Sequence, residues 1–163
     1  MLKHHNDTPL VPKRTVVLGS AGFIGQTLVN RLSAAGVNMV SLAKQDLDLE
    51  TPAAATQLTE LLHADDTLVF ISAKAPVRDV SMLAANLRMA ETVVAAVSRQ
   101  AVAHVIYVSS DAVYHDSTEP LTEDSPTAPG SLHGVMHLAR ELALTQSLTR
   151  ADRHSSTNID LWR

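Results

Sequence analysis

Ten residues, Val16-Val17-Leu18-Gly19-Ser20-Ala21-Gly22-Phe23-Ile24-Gly25, constrain this chain more than any other stretch. An apolar, β-branched run stops at a glycine, two more glycines follow at intervals of three, and a helical pattern begins at once. In a strand–loop–helix setting the first glycine permits the tight turn and the second lets backbone approach a pyrophosphate. The third lets the helix pack on the strand, and the free N–H groups and helix dipole then hold the anion. Gly19, Ser20, Ala21, Gly22, Phe23, Ile24 and Gly25 are therefore candidate dinucleotide contacts. The alternative is a glycine-rich turn with no ligand.

The same alternation continues along the chain. Short β-branched runs at 15–19, 37–42, 67–72 and 103–108 alternate with Ala- and Leu-rich segments at 23–35, 52–63, 79–99 and 132–149. Nearly continuous apolar strands separated by helices predict an α/β, Rossmann-like, doubly wound parallel sheet with helices on both faces. Pro52 suits a first helical turn and Gly36 a helix end. Residues 1–14 read as a flexible lead-in, 15–149 as the domain, and 150–163 as an atypical or truncated tail in which Thr157 to Trp162 suits one last strand. The loop from Asp111 to Ser131, with Pro120, Pro126, Pro129 and Gly130, leaves the fourth strand at the carboxyl edge, where open parallel sheets bind ligands.

Composition removes several classes of function. A net charge of −4 with no run of Lys or Arg offers no footprint for a phosphate backbone, so no nucleic-acid partner is expected. The absence of cysteine excludes a disulfide scaffold and a thiolate metal site. The apolar strand runs fall far short of the roughly 20 residues of a membrane span, and neither a membrane partner nor a targeting segment is expected. A cytoplasmic location is the default expectation.

The G-x-x-G-x-x-G spacing resembles the extended, epimerase/dehydratase branch of the short-chain dehydrogenase/reductase superfamily. Further stretches carry the resemblance over about residues 15–149. Asp48-Leu49 resembles the segment in which the acid approaches the adenine amino group and the aliphatic residue packs on the ring. Ser72-Ala73 resembles the Ala-Ala that lines the ribose and nicotinamide side. Asn86 opens a partial match to Asn-Val-x-Gly-Thr, with Met89 and Ala90 replacing the last two. Ser109-Ser110-Asp111-Ala112-Val113-Tyr114 resembles the strand end that carries the catalytic hydroxyl, which falls on Ser110. Glu119-Pro120-Leu121-Thr122-Glu123 resembles an acidic loop of the branch.

The resemblance implies a nicotinamide cofactor, NAD or NADP. NAD-preferring relatives commonly end the second strand with an acid that binds the ribose diol. Here Ala43 takes that position and Lys44 follows, which favours NADP, although Lys44 reads equally well as a solvated lysine.

The catalytic Tyr-x-x-x-Lys of the branch falls on His133 and His137. Four residues apart on a helix, the two share a face. Histidine is able to exchange protons near neutral pH, but imidazole is shorter than phenol, and a neutral His137 lacks the fixed charge of lysine. The pair also reads as ordinary polar residues on a half-buried helix, or, with His115 or His154 as a third ligand, as a metal pair; no metal site is expected.

By resemblance the chain is thus an NAD(P)-binding, epimerase/dehydratase-like oxidoreductase domain with impaired catalysis, acting by hydride transfer on a nucleotide sugar or small carbonyl or hydroxyl compound. Ser110 would orient the substrate oxygen and His133 exchange the proton. The alternative is a non-catalytic NAD(P)-binding sensor or an incomplete chain, because the substrate-specifying C-terminal portion of the branch is missing. The nearly all-round apolar helix 79–99 predicts a homodimer through helices 79–99 and 132–149; burial within the chain is the other reading.

Overall fold

The computed structural model describes residues 11–151 and 157–163, the side chains of 149–151 excepted. Its organising element is β1 (Arg14–Leu18), which pairs in parallel with β2 (Met39–Leu42) on one side and β3 (Asp66–Phe70) on the other. β4 (His104–Val108) and β5 (Asn158–Trp162) extend the sheet beyond β3 in the order β2-β1-β3-β4-β5. All pairings are parallel. The expected doubly wound α/β sheet is present, and the last strand that Thr157 to Trp162 suggested is β5.

The chain moves from β1 to β2 in one direction and from β2 through β3, β4 and β5 in the other. Right-handed crossovers therefore put α1 (Phe23–Ala34) on one face and α2 (Ala54–Leu61), α3 (Val80–Arg99) and α4 (Leu132–Ala151) on the other. α3 packs between α2 and α4. The main core forms under these three helices, from Leu18, Leu68, Phe70 and Tyr107 of the sheet with Leu58, Val93 and Leu144 of the helices.

Element ends differ from expectation by one or two residues, for local reasons. Pro52 lies in the turn ahead of α2 rather than in its first helical turn, which begins two residues later at Ala54. Gly36 does end α1: at φ +70° its N–H donates to the Ser33 carbonyl and Val37 N–H to the Leu32 carbonyl, both at 3.0 Å, the paired bonds of a left-handed C-cap. Arg14, assigned above to the lead-in, is the first residue of β1. Its guanidinium grips fully buried Asp66 through two bonds of 2.7 and 2.6 Å. Residues 1–10 of the expected lead-in lie outside the described residues.

α3 is a second departure, since at 20 residues it is by length and composition long and apolar enough to cross a membrane. In the fold one of its faces, Ala85, Asn86, Met89, Ala90, Val93, Ala96 and Val97, is buried. Asp79 caps its start by accepting from Met82 N–H at 2.8 Å.

The C-terminal strand is fastened by charge as well as by pairing. Glu141 on α4 is 2% exposed, and its carboxylate accepts from Ser109 Oγ at 2.5 Å and from Arg163 through Nε and Nη2, the latter at 2.6 Å. Removing one partner of a buried pair leaves the other charge uncompensated. Arg163→Ala is accordingly expected to cost about 2–4 kcal/mol, read as a lower urea midpoint, and adding Glu141→Gln should recover at least half of the loss.

Candidate functional site

One cleft of about 660 Å³ runs along the carboxyl ends of β1, β3 and β4. In the sheet order observed, the switch point lies between β1 and β3, where connections leave in opposite directions and a crevice opens. The three parts of the cleft are the glycine loop, the end of β2 and the start of α4.

At the glycine loop the three glycines answer to three different demands. Gly19 has φ +97°, and a Cβ there would stand 2.7 Å from Ser72 N. Gly25 is buried, and a Cβ on it would stand 2.1 Å from the Gly19 carbonyl oxygen. Both are required by the protein's own backbone. Gly22 is not: its φ is −73°, and a Cβ would meet only the Gly19 oxygen at an ordinary 3.5 Å. It caps α1 with no side-chain bond to the first turn, and no acid follows, so the helix N-terminus keeps its positive end toward the cleft. Gly19, Ala21, Gly22, Phe23 and Ile24 line the cleft, whereas the expected contacts Ser20 and Gly25 are not among its lining residues. Phe23 is 90% exposed at the rim.

At the end of β2, Ala43, Lys44, Asp48 and Leu49 line the cleft, and Leu49 is also part of the main core. Lys44 is not free. Its Nζ lies 3.4 Å from Asp48 Oδ2 and 3.5 Å from Glu50 Oε1, and these carboxylates, Asp48 foremost, raise its pKa. Glu50 also holds Lys74 at 2.7 Å, which lowers its own pKa. Lys74, a lining residue that the sequence did not single out, thus adds a second cation here.

At the third part Ser72, Ala73, Ser109, Ser110, His133 and His137 converge. Ser110 Oγ accepts from Ala112 N–H at 3.1 Å, capping a single 3-10 turn (Asp111–Val113). The two histidine rings meet edge to face with centroids 4.8 Å apart. His133 Nδ1 faces Val77 N–H at a long 3.5 Å. His137 is 6% exposed, and its Nδ1 is bonded to the Tyr107 hydroxyl at 2.7 Å. Burial, then His133 and Arg140, push His137 down to about 4, so it is neutral at physiological pH. Burial pushes the Tyr107 phenol up to about 12. Gly134 between the histidines lets α4 approach, since a Cβ there would stand 2.0 Å from the Ala112 carbonyl oxygen. Among the described residues no third ligand joins the pair for the metal reading: His115 is not among the residues that line the cleft, and His154 lies outside the described residues.

Asn86 is fully buried and fastens the loop after β3, accepting from Lys74 N–H and donating to the Lys74 carbonyl, both at 3.0 Å. Arg140 and Tyr107, which the sequence reading passed over, lie beneath this part of the cleft. An arginine in an amphipathic helix reads as a surface residue, and nothing in its neighbours along the chain marks it otherwise.

With this geometry, residues 15–157 match the description "NAD dependent epimerase/dehydratase family". The chain belongs to that family. The dTDP-6-deoxy-L-talose 4-dehydrogenase (NAD(P)(+)) of Kitasatospora kifunensis is 28% identical over an alignment 158 positions long that covers 86% of this chain and 48% of the relative. The structure of MoeE5 in complex with UDP-glucuronic acid and NAD aligns with TM-score 0.78 at 26% identity, over 91% of this chain and 53% of that one. A GDP-L-fucose synthetase from Naegleria fowleri bound to NADP shares the fold at TM-score 0.76 and 16% identity, over 94% of this chain and 54% of that one. The chain spans about half the length of these relatives.

Two stability measurements test the site as built. Gly25→Ala should unfold the domain or lower its melting temperature by more than about 10 °C, whereas Gly22→Ala should leave it within about 2 °C, by calorimetry. His137 has a folded pKa of about 4 against an unfolded value of 6.5, so the unfolded chain binds the extra proton between those limits. Its contribution is complete above pH 6.5 and is lost as pH falls toward 4, by up to about 3 kcal/mol. Urea titrations from pH 7 to 4 should show that loss, and His137→Gln should flatten it.

Proposed function

We propose that the cleft binds a nicotinamide dinucleotide and that the chain is the NAD(P)-binding domain of an epimerase/dehydratase-type oxidoreductase whose family-type catalysis is impaired. The observation that carries this reading is Gly22: the chain's own packing has no need of a glycine there, so the missing Cβ leaves room for something outside the chain. A pyrophosphate suits that room, meeting unpaired N–H groups and the positive end of α1 at once. Asp48 and Leu49 would take the adenine end, and Ser72 and Ala73 the ribose and nicotinamide side. Relatives named for NAD(P)(+) and solved with NAD support the assignment.

For the choice between cofactors, Lys44 gives a 2′-phosphate a cation, but Asp48 and Glu50 already neutralise much of it. We therefore retain the preference for NADP over NAD as a narrow one, within about tenfold, or about 1.4 kcal/mol. Lys44→Ala should weaken NADPH about threefold to tenfold and leave NADH unchanged in fluorescence titrations.

A bound nicotinamide would supply hydride exchange at a substrate carbon, and the relatives' names point to a nucleotide sugar as that substrate. Ser110 would orient the substrate oxygen. His133 is the residue left to exchange a proton, and it is poorly set for it: its imidazole is shorter than the phenol it replaces, and its Nδ1 faces the Val77 N–H at a long 3.5 Å. The neutral His137 also brings no fixed charge. Hydride exchange, followed at the reduced-nicotinamide absorbance with nucleotide sugars and small ketones, should be at least about a hundredfold slower than in the His133→Tyr, His137→Lys double variant. Gly22→Ala should keep the fold and lose at least tenfold in cofactor affinity; a wild-type chain that binds neither NADH nor NADPH would overturn the proposal.

The outward faces of α3 and α4 carry Leu87, Val135 and Leu142 exposed. We propose these two helices as the contact of a homodimer, for which sedimentation at micromolar concentration should give twice the monomer mass.

A further inference from the structure

Arg140 is fully buried, yet among the described residues no carboxylate pairs with it. Its Nη2 donates to the Ser72 carbonyl at 2.8 Å, and its Nη1 lies 3.5 Å from Asn86 Oδ1 and 3.7 Å from Met136 Sδ. Nε has no partner. The guanidinium carbon stands 4.2 Å from the centroid of the Phe70 ring and 5.1 Å from that of Tyr107. Two aromatic faces, one carbonyl and one amide oxygen are what hold a cation that burial disfavours. Guanidinium does not give up its proton in proteins, so a full positive charge sits beneath the part of the cleft that Ser72 and His137 line.

That charge acts on a hydrogen bond with two possible forms. Either the Tyr107 hydroxyl donates to His137 Nδ1, which leaves the imidazole proton on Nε2, or His137 Nδ1–H donates to the phenol oxygen, which leaves Nε2 a bare acceptor. The 2.7 Å contact is compatible with both. Arg140 separates them: burial, the largest influence on Tyr107, holds the phenol protonated, and the Arg140 cation over its ring, which favours negative charge on the phenol oxygen, disposes that hydroxyl to donate rather than to accept a proton from Nδ1. Since Nδ1 is taken by Tyr107, Nε2 is the ring nitrogen left for the cleft.

We propose that Arg140, acting through the Tyr107 hydroxyl, holds His137 as a neutral imidazole with its proton on Nε2, so that position 137 offers the cleft an uncharged N–H donor. Arg140 and Tyr107 are positioning residues; neither lines the cleft. The charged and titratable groups around His137 agree with this form: His133 and Arg140 on α4 both oppose its protonation. Behind Tyr107 on β4, Glu141 is held by Arg163 and Ser109. The inference rests on the proposed cofactor cleft only for what the donor meets, a ribose hydroxyl or a substrate oxygen, and its test needs no cofactor.

The test is a long-range ¹H–¹⁵N spectrum of the histidine rings in the uniformly labelled, cofactor-free chain from pH 5.5 to 8.5. His137 should show one protonated Nε2 and one unprotonated Nδ1, unchanged over the range. Tyr107→Phe and Arg140→Met should each convert that pattern to a tautomer mixture, and Arg140→Lys should restore it. A wild-type ring protonated at Nδ1, or a pure Nε2–H pattern that survives in every folded variant, would overturn the proposal. Where Arg140→Met does not fold, the wild-type spectrum and Tyr107→Phe decide. Failure to bind NADH or NADPH would count against the cofactor reading and leave this result standing.

Discussion

Three segments of backbone meet at the carboxyl end of β1, and the rest of the structure depends on how closely they meet. The Leu18 carbonyl accepts from both Ile71 and Ser72 N–H, at 2.9 and 3.0 Å, while Gly19 and Ser20 N–H both reach the Leu42 carbonyl. β1 is thereby tied to β2 and β3 at the point where the chain turns into α1. A side chain at Gly19 or Gly25 would push these segments apart. With the crossing closed, the N-terminus of α1 stands at the switch point of the sheet, and the cleft follows from that placement.

Charge is arranged unevenly along the cleft. The glycine end offers a helix dipole and unpaired N–H groups with no acid near them. The β2 end offers cations that are already shared among carboxylates, as Lys44 and Lys74 are with Asp48 and Glu50. The α4 end offers two imidazoles, that of His137 held neutral, above one buried cation. A dinucleotide with a charged middle and less charged ends fits that order. On the proposed reading, His133 and His137, in place of the Tyr-x-x-x-Lys pair, fall at the nicotinamide end and leave the anion-binding part as it is.

Sequence reasoning reached the sheet and the glycine loop because both depend on local patterns. β3, buried along its whole length, leads into the apolar run Leu68 to Ile71, and the three glycines announce a turn whatever surrounds them. Distinguishing Gly22 from Gly25 needed coordinates, since only the distances from a hypothetical Cβ show which glycine the protein requires and which it leaves open. The same holds for Lys44, whose partners lie four and six residues on in a turn. Arg140 was illegible for a further reason: its partners Ser72 and Asn86 are 68 and 54 residues away. β5 was readable from the apolar residues of Thr157 to Trp162, but its anchor, the Glu141–Arg163 pair, was not.

The central claim is that the first turn of α1 is an anion site for a nicotinamide dinucleotide. Its most direct test is a backbone ¹H–¹⁵N titration of the labelled chain with NADPH. The account predicts the largest shifts at the amides of Gly19 to Gln26, with smaller ones at Ser72, Ala73 and Ser110. Saturating NADPH that leaves the amides of the glycine loop in place would contradict it.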